Sequence, residues 1–291
     1  MRALVAGGTG MLGCDLVTAM ARRGHETIGL SRAEFDITDS HLVEEVIAEV
    51  KPDIVLNCAA WTDVDGAEAH EREAMRVNDV AAGIVSATAA SHGAAVLYVS
   101  SDYVFDGAKR SPYVESDLPA AISAYGRSKQ AGETSVSIAN ARHYIVRSSW
   151  LFGTNGPNFV ETMLRLCREQ PEVIVVSDQV GGPTYTPHLA EALTMLVESE
   201  DFGTHHLAAA GRCSWFEFAQ EIFDQVGSEC RVMAGTTEML GRPAPRPAFS
   251  ALGSERQDAI VLPDWHQGLT EYLTARQEPP KAAAAAEPRA W

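Results

Sequence analysis

The sequence predicts an α/β fold in which a doubly wound parallel sheet is followed by a smaller C-terminal lobe. Short apolar runs of strand length alternate with amphipathic segments over residues 1–150, and this rhythm breaks beyond them. With 291 residues, the chain is long enough for one large domain or two modest ones. We expect a first domain over residues 1–150, a lobe over 151–276 whose segments partly complete the sheet, and a disordered tail over 277–291.

The predicted strands are mostly apolar on both faces, as strands in a parallel sheet covered by helices must be. They are Ala3–Ala6, Thr27–Leu30, Ile54–Ala59, Val96–Val99, Tyr144–Val146 and Val173–Val176.

The predicted helices are amphipathic segments between and after these runs. They are Gly13–Arg23, Ser40–Val50, Leu189–Glu198 and Trp215–Val226. The first ends in two arginines followed by Gly24, a basic last turn and a glycine stop. In the second half, the segments "GGPTYTPH" and "GRPAPRPAFS" interrupt the pattern and predict loops. The tail "EPPKAAAAAEPRAW" has low complexity, which predicts disorder.

Composition and charge exclude several classes of protein. The 46% hydrophobic and 21% charged content is typical of a globular protein. A net charge of −16 argues against a general basic face for nucleic acid. The five cysteines form no CxxC pair, which indicates neither a disulfide framework nor a zinc site. Neither a signal peptide nor a membrane span is recognisable, so we expect a cytoplasmic protein without membrane or nucleic-acid partners.

A glycine-rich turn, "VAGGTGMLG", follows the first predicted strand and opens the first helix. It contains Gly8-x-Gly10-x-x-Gly13, and also Gly7 three residues before Gly10. Such glycines allow a tight turn, a close approach of the backbone to a pyrophosphate, and tight packing of helix against strand. This turn predicts a Rossmann-like dinucleotide site.

The end of the second strand indicates which dinucleotide is bound. NAD-specific sites usually carry an acidic residue there, which holds the 2′-hydroxyl of the ribose. This chain has Ser31 and Arg32 instead. Because an arginine can pair with a 2′-phosphate, the sequence favours NADPH, with NADH as the alternative.

Tyr125 and Lys129 lie at positions i and i+4 and share one helix face. A tyrosine has a pKa of about 10, and a neighbouring ammonium favours its phenolate. We therefore expect Lys129 to lower the pKa of Tyr125 and to hold the nicotinamide ribose. A phenol that can give its proton to the alkoxide formed as hydride arrives is what a carbonyl reductase needs.

The glycine turn, the hydroxyl of Ser101 after the fourth strand and the Tyr-x-x-x-Lys motif together resemble the extended short-chain dehydrogenase/reductase superfamily. Five blocks in order, "NCAAWTDVDGAE", "SSDYVFDG", "YGRSKQAGE", "RSSWLFG" and "DQVGGPTYT", resemble the dTDP-4-dehydrorhamnose reductase family. Ser101 stands where many members have threonine, so a hydroxyl is kept. Dehydratases of the superfamily carry an Asp-Glu pair after the hydroxyl. Here Asp102 precedes Tyr103, which counts against dehydration.

The resemblance implies a set of site residues. The catalytic residues would be Ser101, Tyr125 and Lys129, accompanied by Asn78. The residues of the cofactor site would be Gly7, Gly10, Met11, Leu12, Gly13, Ser31, Arg32, Asp36, Ile37, Ala59, Ala60, Trp61, Tyr125 and Lys129. The substrate would contact Thr62, Ser101, Asp102 and Trp150.

Three further residues have expected roles in the substrate site. Asp65 either contacts the ligand or caps the helix that begins near it. Arg242 and Arg246, in the proline-rich loop, would be able to face a diphosphate.

We predict no metal site. His205 and His206 are adjacent, so on a strand they would point to opposite faces. In some relatives a divalent cation is linked to the dimer through carboxylates, and Asp15 could occupy such a position, but we do not predict it. A homodimer stays open.

The resemblance favours NADPH-dependent reduction of the 4-keto group of a nucleotide-linked 6-deoxy sugar. The expected reaction converts dTDP-4-dehydro-L-rhamnose to dTDP-L-rhamnose, or acts on a related deoxysugar. Two alternatives stay open. One is a non-catalytic, NADP-binding regulatory subunit of the methionine adenosyltransferase type, and the other is a nucleotide-sugar 4-epimerase.

Overall fold

The computed structural model describes residues 1–277, so the predicted disorder of the tail lies outside the described residues beyond Gln277. The strands of this part are β1 (Arg2–Ala6), β2 (Glu26–Leu30), β3 (Ile54–Asn57), β4 (Ala95–Ser101), β5 (His143–Ser148), β6 (Leu151–Phe152), β7 (Glu172–Val176), β8 (Val180–Gly181), β9 (Thr184–Tyr185), β10 (Gly203–His206), β11 (Ala209–Ala210), β12 (Cys213–Ser214), β13 (Arg231–Gly235) and β14 (Leu262–Asp264).

The α-helices alternate with the strands in the first half and alternate less regularly in the second. They are α1 (Met11–Arg22), α2 (Ser40–Val50), α3 (Val64–Ala69), α4 (Glu71–Met75), α5 (Ala82–Ser91), α6 (Ala124–Ala139), α7 (Phe159–Glu169), α8 (Thr186–Ser199), α9 (Trp215–Val226), α10 (Thr237–Leu240) and α11 (Trp265–Gln277). A π-helical turn at Arg76–Ala81 connects α4 to α5.

A six-stranded parallel sheet forms the centre of the fold, with strand order β10-β5-β4-β3-β1-β2. From β1 the chain moves to β2 on one side and then returns to β3 on the other. The strand order therefore reverses between β1 and β3, and in such sheets ligands bind in the crevice outside the carboxyl ends at that point. The predicted doubly wound α/β fold is confirmed.

Both faces of the sheet are buried, which explains the apolar strands. Along β1, Ala3 and Val5 face a core that includes residues of α1 and α8. Leu4 and Ala6 face the opposite core, which includes residues of α2, α5 and α6. A third core is formed by residues between Phe152 and Leu273, among which Phe218 and Trp265 are almost fully buried.

Predicted helix boundaries hold where a local cap fixes them. α2 begins at Ser40 because the side chain of Asp39 accepts hydrogen bonds from the backbone of the first turn. α9 begins at Trp215 behind a capping box made by Ser214 and Glu217. The helix predicted from Gly13 begins two residues earlier, at Met11, and the one predicted from Leu189 begins at Thr186.

Three strand predictions need correction. The strand predicted to reach Ala59 ends at Asn57, whose side-chain oxygen accepts a hydrogen bond from the Ala59 amide and turns the chain. The strand predicted at Val173–Val176 is confirmed as β7, but it lies outside the central sheet, because β7 pairs with β13 in a separate two-stranded sheet. The sixth strand of the central sheet is β10, which is too polar to be recognised as an apolar run. The segment "GGPTYTPH", predicted as a loop, holds parts of β8, β9 and α8.

None of the helices within residues 1–277 is both long enough and apolar enough to cross a membrane.

Candidate active site

The glycine turn brings the start of α1 close to the carboxyl end of β1. Gly7 has a φ of 74°, a left-handed conformation that suits glycine. A Cβ on Gly13 would lie 2.1 Å from the carbonyl oxygen of Gly7, so only glycine lets the helix pack this closely. Gly10, at the N-cap, has no side chain to cap the helix. The first-turn amides of α1 are therefore available to an anionic ligand.

A cavity of about 840 Å³ opens at the carboxyl ends of the central strands. It brings Ser101, Tyr125 and Lys129 together with the predicted substrate contacts Thr62, Asp102 and Trp150 and with all of the predicted cofactor-site residues except Gly13 and Ser31. The predicted residues that line it are Gly7, Gly10, Met11, Leu12, Arg32, Asp36, Ile37, Ala59, Ala60, Trp61, Thr62, Ser101, Asp102, Tyr125, Lys129 and Trp150.

The two exceptions have other contacts. Gly13 packs behind the turn against the backbone of Gly7, as described above. The hydroxyl of Ser31 donates to a carboxylate oxygen of Glu34 at 2.6 Å, which holds the turn after β2. Both residues therefore shape the site without lining its cavity.

Ser101 and Tyr125 meet at the end of β4. The Ser101 hydroxyl donates to Asp102 at 3.1 Å and accepts from the amide of Tyr103 at 3.1 Å. A hydrogen bond with Ser101 lowers the pKa of Tyr125, but burial outweighs it and raises that pKa to about 12. Tyr125 is thus held as a neutral phenol, the form that donates a proton.

Lys129 lies one turn further along α6 and is 2% exposed. Its ammonium lies over the face of the Tyr98 ring, 4.2 Å from the centroid. Burial lowers the pKa of Lys129 to about 7 because it disfavours the charged form. The expected lowering of the Tyr125 pKa by Lys129 is not found, because Lys129 is not among the groups that shift that pKa and burial raises it.

Asn78 lies in the π-helical turn and does not line the cavity. Its side-chain oxygen accepts from the amide of Trp61, and its nitrogen donates to the Trp61 carbonyl and to the hydroxyl of Ser128. Asn78 therefore fixes the cavity wall at Trp61 to the helix that carries Tyr125 and Lys129. π-helical turns are frequent at functional sites.

Asp102 is buried just after β4 and contacts a residue 148 positions further along the chain. Its second carboxylate oxygen accepts a hydrogen bond of 2.5 Å from the hydroxyl of Ser250. Burial raises the pKa of Asp102 to about 7, although the hydrogen bonds from Ser250 and Ser101 act in the opposite direction. Ser250 lies in the proline-rich segment that the resemblance implies for substrate contacts, but the sequence did not single out Ser250 itself.

Trp150 lies at the carboxyl end of β5 and is stacked on Trp215, with ring centroids 3.6 Å apart. Its φ of 46° is unusual for a residue other than glycine and is the kind of strain found at ligand sites. Trp215 lines both the large cavity and a second cavity of about 440 Å³. Sequence reasoning missed Trp215 because it reads as the first residue of an ordinary helix.

Asp65 does not cap helix α3, which corrects one of its two expected roles. The cap is Asp63, whose side chain accepts from the amide of Gly66. Asp65 accepts hydrogen bonds of 2.9 Å from both terminal nitrogens of Arg246 and one of 3.4 Å from Arg242. Both arginines line the second cavity, which is consistent with their facing a bound ligand.

Arg32 lies at the far end of the large cavity with a side chain that is 85% exposed. Its guanidinium is 3.7 Å from the carboxylate of Asp36. Asp36 in turn accepts hydrogen bonds from the amide and hydroxyl of Thr38. Arg32 is therefore free to turn toward an anion bound beside it.

The side chains considered for a metal have protein partners. Asp15 accepts hydrogen bonds from Thr186 and Asn155. His205 and His206 are buried, and each makes a hydrogen bond to a backbone carbonyl. Within residues 1–277, no group of three or more histidine, cysteine, aspartate or glutamate side chains is arranged to hold a metal ion.

Ser148 is a lining residue that sequence reasoning did not single out. It lies opposite Ser101 in the register of β4 and β5, and it is 3% exposed. Its hydroxyl has no hydrogen-bond partner within the described residues. A buried hydroxyl left in this way costs about 1–3 kcal/mol, so a molecule in the cavity is its natural partner.

Comparison with known proteins agrees with this arrangement. Residues 1–278 match the family model described as the RmlD substrate binding domain. The chain belongs to this family. It is 39% identical over 277 residues to the spore coat polysaccharide biosynthesis protein SpsK of Bacillus subtilis, covering 94% of this chain and 98% of the relative.

Two further proteins that are similar to this RmlD-family chain are named dTDP-4-dehydrorhamnose reductase. The dTDP-4-dehydrorhamnose reductase of Streptomyces griseus is 39% identical over 284 residues, covering 94% of this chain and 93% of the relative. A crystal structure of dTDP-4-dehydrorhamnose reductase from Bacillus anthracis in complex with NADP superimposes with a TM-score of 0.92 at 36% identity. That match covers 94% of this chain and 99% of the other. The resemblance to the dTDP-4-dehydrorhamnose reductase family is confirmed.

Proposed function

We propose that this protein uses NADPH to reduce the 4-keto group of a dTDP-linked 6-deoxy sugar. The favoured reaction converts dTDP-4-dehydro-L-rhamnose to dTDP-L-rhamnose, and a related deoxysugar is the alternative substrate. One observation carries the proposal. A single cavity connects the glycine turn and Arg32 to the side chains of Ser101, Tyr125 and Lys129.

The cavity fits a dinucleotide at three points. The uncapped start of α1 offers amides to a diphosphate, and Arg32 can pair with a 2′-phosphate. The unpartnered hydroxyl of Ser148 lies deep in the cavity, beside the catalytic strand end. We assign Met11 and Leu12 to the diphosphate, and Ala59, Ala60 and Trp61 to the nicotinamide side. The bound cofactor supplies the hydride.

The remaining chemistry belongs to this chain. Tyr125 donates the proton that the keto oxygen takes up, because its phenol is neutral and lies next to Ser101. Ser101 donates a hydrogen bond to the same oxygen as charge develops on it. Lys129, in its charged form, stabilises that charge and holds the ribose. Thr62, Asp102 and Trp150 form the sugar side of the cavity.

The second cavity suits the nucleotide end of the substrate. It adjoins the first through Tyr103 and Trp215, which line both. Trp215 offers a face for a base, and Gln179 and Thr237 are polar groups on its wall. We assign Arg242 and Arg246, which line this cavity, to the diphosphate that connects base and sugar.

The loss of NADPH absorbance with dTDP-4-dehydro-L-rhamnose as substrate tests this function. We expect one NADPH consumed for each sugar reduced, and a lower kcat/KM for other dTDP-linked keto sugars. An epimerase would show no net consumption of NADPH. A regulatory subunit would bind NADP, consume none with any keto sugar, and capture a methionine adenosyltransferase from solution.

We further propose a cytoplasmic location. All five cysteines are free thiols, as expected in a reducing compartment. The purified protein can be exposed to glutathione disulfide and its free thiols counted by titration. Formation of a specific disulfide that stabilises the protein would argue for an oxidising compartment instead. A homodimer is also proposed, and sedimentation tests it.

A further inference from the structure

Three functional groups follow one another along a single face of α6. Tyr125, Lys129 and Glu133 are spaced four residues apart, so each lies one turn beyond the last. Lys129 and Glu133 are both buried, at 2% and 6% exposure. Opposite charges at this spacing are close enough to form an ion pair. Lys129 nevertheless forms no ion pair with any group in residues 1–277.

Arg147 on β5 binds both carboxylate oxygens of Glu133. Its Nε donates to Oε1 of Glu133 at 2.9 Å, and its Nη2 donates to Oε2 at 2.7 Å. Ser100 donates a further hydrogen bond to Oε1 at 2.6 Å. Both carboxylate oxygens thus have partners on the neighbouring strands β4 and β5.

Arg147 is itself held in place. Its third nitrogen, Nη1, lies 3.3 Å from Nε2 of His206. The opposite ring nitrogen of His206 faces the carbonyl oxygens of Gly253 and Tyr113 at 2.9 and 3.1 Å, so it carries the proton and Nε2 accepts from Arg147. The guanidinium also lies 5.1 Å from the ring centroid of Phe105.

We propose that Arg147 is a positioning residue for Lys129. By holding both oxygens of Glu133, Arg147 prevents that carboxylate from pairing with Lys129 and leaves the ammonium for the ribose and for the charge that develops on the keto oxygen. This inference rests on the proposed function, which assigns those two contacts to Lys129.

The physical argument concerns what Glu133 does without Arg147. A buried carboxylate that loses its partner needs another cation, and Lys129 is one helical turn away. The titratable groups around Lys129 are Glu133, Cys58, Tyr98 and Tyr125, and among these Glu133 is the carboxylate. Pairing with Glu133 would draw the ammonium away from the cavity and favour its charged form to higher pH.

Arg147→Met tests this, with NADPH affinity and steady-state turnover measured between about pH 6 and pH 9, across the titration range expected for Lys129. At the acidic end, where Lys129 is charged in both proteins, we expect NADPH affinity to fall about tenfold in the variant. The pH at which affinity begins to decline should move upward by about one unit. A merely structural ion pair would not move that inflection.

The matched control is the double variant Glu133→Gln with Arg147→Met, in which both buried charges are removed together. Replacing a whole buried pair is often neutral for stability. We expect the double variant to recover the NADPH affinity and the pH inflection of the parent protein. A double variant as impaired as Arg147→Met, or an Arg147→Met protein with unchanged affinity and inflection, would overturn the inference.

If Arg147→Met fails to fold, Arg147→Lys takes its place, since an ammonium keeps the charge but cannot hold both oxygens as a guanidinium does. The same comparison, with and without Glu133→Gln, then decides. Lys129→Met tests the role of Lys129 separately from the role of Arg147. Parental NADPH affinity and turnover in Lys129→Met would refute the role of Lys129 itself, whatever the Arg147 variants show.

Discussion

Asp65 and Arg246 form a two-pronged ion pair, with both terminal nitrogens of the arginine 2.9 Å from the carboxylate oxygens. The pair joins the first turn of α3 to the proline-rich loop between α10 and β14. The Asp65 carboxylate also accepts from the amide of Ala244 at 3.2 Å. This contact fixes the wall of the second cavity relative to the sheet.

Arg246→Ala should therefore weaken binding of the nucleotide sugar. Charged hydrogen bonds contribute about 1.5–3 kcal/mol, which predicts a KM for the sugar raised roughly 10- to 100-fold. The dissociation constant for NADPH should not change, because Arg246 lies outside the large cavity. Arg165→Ala, which removes an exposed pair on α7, is the control and should leave both constants unchanged. Equal losses in NADPH and sugar binding would contradict the assignment.

Tyr125→Phe should lower kcat by about 10²–10⁴-fold, because it removes the proton donor. NADPH affinity should stay close to that of the parent protein, since the glycine turn and Arg32 carry most of it. Stopped-flow and fluorescence titration measure the two quantities separately. Tyr144→Phe alters a buried tyrosine of the central sheet and serves as control. A Tyr125→Phe protein with more than about a tenth of parental kcat would exclude Tyr125 as the proton donor.

Substitutions of Ser101 and of Asp102 should affect different kinetic constants. Ser101→Ala should depress kcat, because the hydroxyl acts on charge that develops in the transition state, and Ser101→Thr should stay active. Asp102→Asn should mainly raise KM, since the carboxylate holds Ser250 and the sugar side of the cavity. Steady-state kinetics on the three variants checks this. Comparable losses of kcat in Ser101→Ala and Asp102→Asn would show that Ser101 and Asp102 do not have separate roles in catalysis and in substrate binding.

Asp102 should also make stability depend on pH. Its pKa of about 7 in the folded protein exceeds the ordinary value of 3.8, so the protonated form stabilises the fold at acid pH. This contribution is lost as pH rises through about 7. Asp102→Asn cannot titrate, so the melting temperature of the variant should rise relative to that of the parent as pH increases from about 4 to about 7, by about 2 °C per kcal/mol. If the melting temperatures of the variant and the parent differ by the same amount across this pH range, the raised pKa of Asp102 is refuted.

Arg32→Asp should reverse cofactor preference by replacing attraction for the 2′-phosphate with repulsion. We expect the ratio of kcat/KM for NADPH to that for NADH to fall below one. Arg22→Asp, at the end of α1, provides a charge-matched control outside the cavity. An unchanged ratio in Arg32→Asp would assign discrimination to other groups.

Much of the site was predictable because its signals are local in sequence. The glycine turn depends on spacing over seven residues, and Tyr125 and Lys129 share a helix face because of their i, i+4 spacing. Fixed positions at strand ends then bring these local features to one edge of the sheet. The expected lining of the cavity follows from that geometry.

The remaining features depend on contacts between distant segments. Ser250 reaches Asp102 across 148 residues, and Arg246 reaches Asp65 across 181. No local pattern identifies such partners. The sixth strand is likewise hidden, because His205 and His206 satisfy their polar groups only after the tertiary fold has formed. Burial of Tyr125 and Lys129 also depends on the assembled fold, which is why their pKa shifts differ from expectation.

The late position of strand β10 in the sequence affects how the chain can fold during synthesis. Until Gly203–His206 leaves the ribosome, β5 is an open edge, and the apolar face of α1 lacks its cover from α8. Open edges and bare apolar faces are the features that lead nascent chains to aggregate. The central sheet must therefore wait for a segment synthesised after α7 and α8, so a fragment ending near residue 150 would be a poor unit for expression or for recombination with another reductase.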